Sequence, residues 1–271
     1  MRQYFVIICL LVVGGVSPAA EFKVACDMPF KNQTQWNTSK VVDCDIEGDP
    51  SGSAENRNQN HMKNNFCAAG NPVSISFGTI DALQNAVDQK KIPYGSGQRL
   101  PPDRSLLQKL VRVGRRTIGE GSVVRLVAFI IDAHYSNVSN GETVNCMLHG
   151  EDNNDIHIML GWNVGDDVCQ SVTAEMLPHF RPDAWTPDGL NSLNGRLVRI
   201  TGQLFLDGSH KPCQGAKQAN PPRRSVWEIH PVYAIDVAKV RGSLHVSPSS
   251  ANDWVPFDQF IKQTAIPAEP E

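Results

Sequence analysis

Two runs near the C-terminal half constrain what this chain can fold into. Gly195 to Leu206 and Val226 to Val237 both alternate apolar and polar residues, and a long polar loop holding His210 and Cys213 separates them. Alternation with a period of two is the pattern of a β-strand with two unlike faces. Val198, Ile200, Leu204 and Leu206 point one way, and Arg199, Thr201, Gln203 and Asp207 the other. Trp227 and Ile229 share one face of the second run, and Glu228 and His230 the opposite one. Strands of this kind must bury their apolar faces against a second layer or close on themselves.

The preceding residues supply partners. Ser122 to Ala133 is a long apolar strand, and Glu142 to Leu148 reads as a second, after a Ser-Asn-Val-Ser-Asn-Gly turn. Asp155 to Leu160 is a third, Val172 to Leu177 a short extra strand or turn, and 184–193 one or two helical turns around Trp185, Leu190 and Leu193. Three strands, a short helical connection and two further strands is the order of a five-stranded OB-like Greek-key barrel, placed here over 119–240. Another small barrel or a sandwich is the alternative. The fold class is mainly β with an α/β N-terminal extension.

That extension, 21–118, reads as an irregular and helical region braced by cysteines. Asp45 to Asn65 is rich in Gly, Ser, Asn and charge and has loop composition. Val73 to Phe77 alternates as a strand. Thr79 to Lys90 has helical spacing, with Asp81 in the first turn. A second short helix is expected after Pro101 and Pro102, with Asp103 as N-cap and Leu106, Leu107, Leu110 and Val111 as its apolar face. Arg112, Arg115 and Arg116 then read as its solvated end. The tail, 241–271, offers Trp254, Phe257, Phe260 and Ile261 as a docking turn.

Residues 1–20 carry Arg2, an apolar run from Tyr4 to Val13 and small residues at Ser17, Ala19 and Ala20, the pattern of a secretory signal. The run is too short to span a bilayer, and no transmembrane segment is expected after its removal. The mature chain is placed outside the cytoplasm, secreted or periplasmic. Loss of Cys9 leaves Cys26, Cys44, Cys67, Cys146, Cys169 and Cys213, an even number that suggests disulfides, with buried thiols as the alternative. A net charge of −3 argues against a bulk-basic nucleic-acid binder. There is no Gly-rich phosphate loop, no G-x-S-x-G elbow and no H-E-x-x-H.

The polar faces carry the candidate chemistry. Asp155 and His157 share one face of their strand, as Glu228 and His230 do of theirs. In an OB-like barrel the third and fifth strands are neighbours and the fourth flanks the fifth. His157, Arg199, Glu228 and His230 are then expected in one ligand-binding patch, with Asp207 and His210 capping it. Imidazoles beside carboxylates can hold a divalent metal such as zinc, here through His157, His230 and Asp155. They can also run acid–base catalysis, with His157, His230, Glu228, Asp207 and His210 as candidates. The plain alternative is a set of ordinary exposed strand residues, with Arg199 and Glu228 as a surface ion pair. His149 and His179 are weaker candidates.

The segments Glu142 to Cys146, Asp155 to Ile158, Arg199 to Gly202 with Asp207 to His210, and Trp227 to Val232 resemble a family of exported bacterial proteins with an OB-like fold and no assigned activity. The resemblance covers about residues 120–238, and Trp-Glu-Ile-His-Pro-Val is its most specific part. It implies the fold and an exported setting and supplies no active site to carry over. Staphylococcal-type nucleases also use an OB barrel, but their clustered Asp and Arg motifs are absent here. Three functions are open: a binding module for a polar polymer such as a nucleic acid or saccharide, a metal-dependent hydrolase of the phosphodiesterase or nuclease type, and a structural envelope protein.

Overall fold

The computed structural model describes residues 33–34, 41–42, 44–95, 100–101, 103–179, 181–215, 218–240 and 246–264. The signal segment, Cys9 and Cys26 lie outside them. Strands β1 (Gln33–Thr34) and β2 (Val41–Val42) form a small antiparallel ladder. Helix α1 (Ala54–Lys63) follows, then β3 (Val73–Ile75), α2 (Phe77–Gln89), and the hairpin of β4 (Val111–Val113) and β5 (Arg116–Ile118). The central strands are β6 (Val123–Tyr135), β7 (Ile156–Gly161) and β8 (Val172–Met176). Helix α3 (Pro187–Asn191), β9 (Leu197–Leu206), β10 (Trp227–Ala238), β11 (Trp254–Pro256) and α4 (Phe257–Thr264) complete the chain.

Five of these strands close into a mixed barrel. β6 pairs antiparallel with β7, β7 with β8, β10 with β9, and β9 again with β6, while β8 and β10 run parallel. β3 and β11 extend the sheet at β6 and β10. The interior is apolar by alternation. Leu126, Ile130, Ile158, Ala174, Ile200, Leu204, Trp227 and Ile229 belong to one buried cluster. Gly202 sits where β9 crosses the irregular stretch of β10: a Cβ there would lie 2.5 Å from the Pro231 carbonyl oxygen, so the crossing requires glycine.

Several expectations are corrected. Glu142 to Leu148 is not a strand. It is a 3-10 turn over Thr143–Asn145 that ends with Cys146 and Met147 at positive φ, and Cys146 is bonded to Cys44. The second barrel strand is therefore β7, and Val172–Met176 is the third rather than an accessory. Asp45 to Asn65 is not all loop: Ser53 caps α1, accepting a hydrogen bond from the Asn56 amide. Helix α2 begins two residues early, on a capping box between Ser76 and Thr79, and Asp81 lies beyond its first turn. After Asp103 there is only a 3-10 turn, Arg104–Leu107. There Leu107 is buried and Leu106 exposed, and Val111 enters a hairpin instead of a helix face. The tail docks as expected, with Trp254 and Phe257 buried.

Two disulfides join described residues, Cys44–Cys146 and Cys169–Cys213. The first spans 102 residues and ties the α1 segment to the barrel; the second spans 44. A longer closed loop removes more entropy from the unfolded chain. Replacing Cys44 and Cys146 together by serine is expected to cost about 3 kcal/mol in guanidinium unfolding. That is more than the same change at Cys169 and Cys213; the reverse order would count against α1 being held as described.

Candidate functional site

The site begins with alternation. With the apolar side chains of β7, β8, β9 and β10 inside the barrel, Asp155, His157, Glu175, Gln203, Asp207, Glu228 and His230 project outward. In an ordinary barrel such a face meets water. Here it meets α1, and all seven residues are buried.

Helix α1 is held by polar contacts. The Gln59 amide nitrogen donates to Ser209 Oγ at 2.8 Å, and Gln59 Oε1 accepts from the Gly208 amide at 3.1 Å. The Gln203 amide nitrogen donates to the carbonyls of Met62 at 2.7 Å and His230 at 2.9 Å, joining helix, β9 and β10. Asn64 donates to the Ile46 carbonyl at 3.1 Å. Lys63, at the end of the helix, puts its ammonium 3.6 Å from Asp207 Oδ2 and 3.7 Å from Glu175 Oε2.

Glu175 is the hub. Its Oε1 is 3.2 Å from His157 Nε2 and its Oε2 is 2.7 Å from His230 Nδ1. His157 and Glu175 face each other directly across β7 and β8, and β8 is the parallel neighbour of β10. Glu228 pairs with Arg223 and lies 3.6 Å from His230 Nδ1. Arg223 also approaches Asp207 Oδ2 at 3.8 Å, and His210 Nε2 lies 3.5 Å from that same oxygen. Asp155 accepts a hydrogen bond from the Asn145 amide at 2.7 Å.

The electrostatics follow from this packing. Burial raises the Glu175 carboxyl, but His157, Lys63 and His230 outweigh it and hold it well below the usual range. Burial likewise opposes ionisation of Asp207, and Lys63, His210 and Arg223 overcome it, so this carboxyl is also depressed. Burial and then the neighbouring Glu175 lift Glu228 to about 7, with Arg223 resisting. Burial disfavours the His230 imidazolium, yet Glu175 and Glu228 raise it to about 9. Burial and Glu142 push Asp155 well above the ordinary carboxylate range. Burial lowers His157 and His210. Acidic and basic groups with displaced pKa values in one place are the usual setting for acid–base chemistry or cation binding.

Most of the residues expected from sequence do meet: His157, Glu228, His230, Asp155, Asp207 and His210 all belong to this network. Arg199 does not. Its Nε and Nη2 both donate to Asp236 Oδ2, at 2.9 and 2.8 Å, and it donates to the Pro248 carbonyl and lies over the Trp254 ring. It therefore fastens the tail to the barrel and pairs with Asp236 rather than with Glu228. His179 is buried, and the His149 carbonyl accepts a hydrogen bond from the Asn153 side chain. Sequence reasoning missed Glu175, Lys63 and Arg223. Glu175 was legible once Val172–Met176 is read as a central strand, because it then faces the side of His157. Lys63 had no such signal.

A cavity of about 400 Å³ adjoins the network at His210, whose side chain is 31% exposed. Ser209, His210, Lys211, Gln214, Gln218 and Asn220 line it. It lies in the loop joining β9 and β10.

Asp207→Asn removes the anion that faces Lys63 and Arg223. The expected cost is about 3 kcal/mol at neutral pH, since buried cations are left uncompensated. The folded-state pKa of Asp207 lies below its unfolded value near 3.8, so its contribution is present above that pH and is lost as pH falls through the folded pKa. The stability gap between wild type and variant should shrink below about pH 4 in urea melts. A gap independent of pH would remove the charge explanation.

No family model, no curated protein and no solved structure matches this chain.

Proposed function

We propose that the chain is an exported OB-fold binding module for a saccharide-like polar polymer, bound at the loop between its fourth and fifth barrel strands. The strand order supports the fold: first to second to third, third parallel to fifth, fifth to fourth and fourth to first, with α3 between third and fourth. The disulfides fit an oxidising compartment, and no helix of the described residues is long and apolar enough to cross a membrane.

The cavity at His210 carries the functional reading. OB-folds bind oligonucleotides and oligosaccharides on the second and third strands and in the loops after the first and fourth. This cavity is in the last of these positions, and its wall is mainly hydroxyl and amide: Ser209, Gln214, Gln218 and Asn220. Such groups both donate and accept, as sugar hydroxyls require. Single-stranded nucleic acid would call for a basic groove with stacking aromatics, whereas among the described residues of this lining Lys211 is the single Lys or Arg and none is aromatic.

One observation favours a second reading, hydrolysis. Asp207, buried behind His210, can orient that imidazole at the cavity wall, and His157 and His230 converge on Glu175. A carboxylate-backed imidazole facing a cavity is the arrangement of a general base.

Calorimetric titration with short β-linked oligosaccharides and with single-stranded DNA separates these outcomes. Saccharide binding is expected, weakened about tenfold, roughly 1.4 kcal/mol, when His210 and Gln214 are both changed to alanine. Binding of DNA alone, falling steeply with salt, would overturn the saccharide assignment, as would binding of neither probe. Release of reducing ends from the saccharide would promote the hydrolase.

A further inference from the structure

The charged network contains two places where three side chains converge, and they differ in kind. Glu175, Asp207 and Glu228 offer oxygens within 4.8 Å of one another, as do the donor atoms of Asp155, Glu175 and His230. The first group already has its cations. Arg223 is paired with Glu228 and approaches Asp207, and Lys63 lies against Asp207 and Glu175. Another positive charge there would meet two fixed ones.

The second group shares Glu175 and so faces Lys63 as well, but the residues that Arg223 pairs with, Glu228 and Asp207, lie outside it. Asp155 takes its hydrogen bond from Asn145 on Oδ1, and Oδ2 has no hydrogen-bond partner among the described residues although Asp155 is fully buried. His230 Nε2 has no hydrogen-bond partner among the described residues, while Nδ1 is paired with Glu175 Oε2 at 2.7 Å. Buried polar atoms of this kind are costly unless something satisfies them. Asp155 enters β7, Glu175 lies on β8 and His230 on β10, so the barrel itself fixes their spacing. A second layer of contacts orients them: Asn145 holds Asp155, and His157 holds the other oxygen of Glu175. Outer contacts of this kind orient the ligands of metal sites.

We propose that Asp155, Glu175 and His230 form a binding centre for one divalent transition ion, of the zinc or manganese type. Two carboxylates and one imidazole are the donors such ions take, and three protein ligands leave a coordination position open. His157 is the outer contact of Glu175 and is not a ligand, in contrast to the His157, His230 and Asp155 set expected from the sequence. The centre lies on the same polar face as the His210 cavity but does not depend on the ligand proposed there.

The test uses the oxidised full-length mature protein, stripped with chelator and then dialysed. Zinc, manganese and cobalt are added separately and followed by calorimetry, and cobalt also by visible absorption. One equivalent is expected, with cobalt bands of oxygen and nitrogen ligation. Asp155→Asn and Glu175→Gln should each weaken binding by about tenfold or more. The control His134→Ala, which changes an exposed histidine paired with Asp132, should bind as wild type. If a ligand variant fails to fold, the wild-type titration and cobalt spectrum decide. Absence of any stoichiometric binding by folded wild type would overturn the proposal, and so would full binding by Asp155→Asn. Saccharide titration of the same stripped sample reports separately on the cavity, so failure of one reading is distinct from failure of the other.

Discussion

An ionised carboxylate held away from water governs the arrangement of this protein. Glu175 is about as buried as a side chain can be, at 1% exposure, and an isolated buried carboxylate is strongly unfavourable. It is tolerated because His157, His230 and Lys63 surround it, from β7, β10 and α1. Each of these charges in turn requires others: His230 draws in Glu228, Glu228 requires Arg223, and Lys63 shares Asp207. The result is a network in which no group can be removed alone without leaving a charge uncovered. Well-packed apolar residues on the same face would give a barrel at least as stable. So many charges beneath a helix are therefore not accounted for by stability alone.

The roof over this face is of an unusual kind. α1 docks through Gln59, Asn60 and Asn64, all buried, and through the Met62 carbonyl bonded by Gln203, with Cys44 covalently joined to the turn that carries Asn145. Its burial thus depends on the same side chains that form the site. The other end of the barrel is fastened independently, by Arg199, Asp236 and Trp254. These two polar assemblies divide the outward-facing residues of β9 and β10 between them. That division is why Arg199, although in phase with Asp207, does not reach the histidines.

The parts that were legible in the sequence are those that repeat. The two alternating runs of β9 and β10 placed Asp207, Glu228 and His230 on one outer face, and the number of alternating runs was enough to expect a small barrel. What was not legible lacked periodicity. Glu142 to Leu148 alternates by coincidence, and left-handed residues at Cys146 and Met147 turn it back. That error displaced the strand count by one and hid Glu175. Helix α1 buries amides rather than an apolar stripe, so hydrophobic spacing could not reveal it or Lys63. The pairing of Cys44 with Cys146 is a property of the folded chain and not of spacing.

The central claim is that Glu175 bridges two histidines beneath α1. Imidazole ¹⁵N chemical shifts of histidine-labelled, metal-free protein test it most directly, in wild type and in Glu175→Gln. The account predicts that the ring signals of His157 and His230 both move in the variant, while those of exposed His61 stay in place. Movement of only one of the two buried histidines, or of neither, would contradict it.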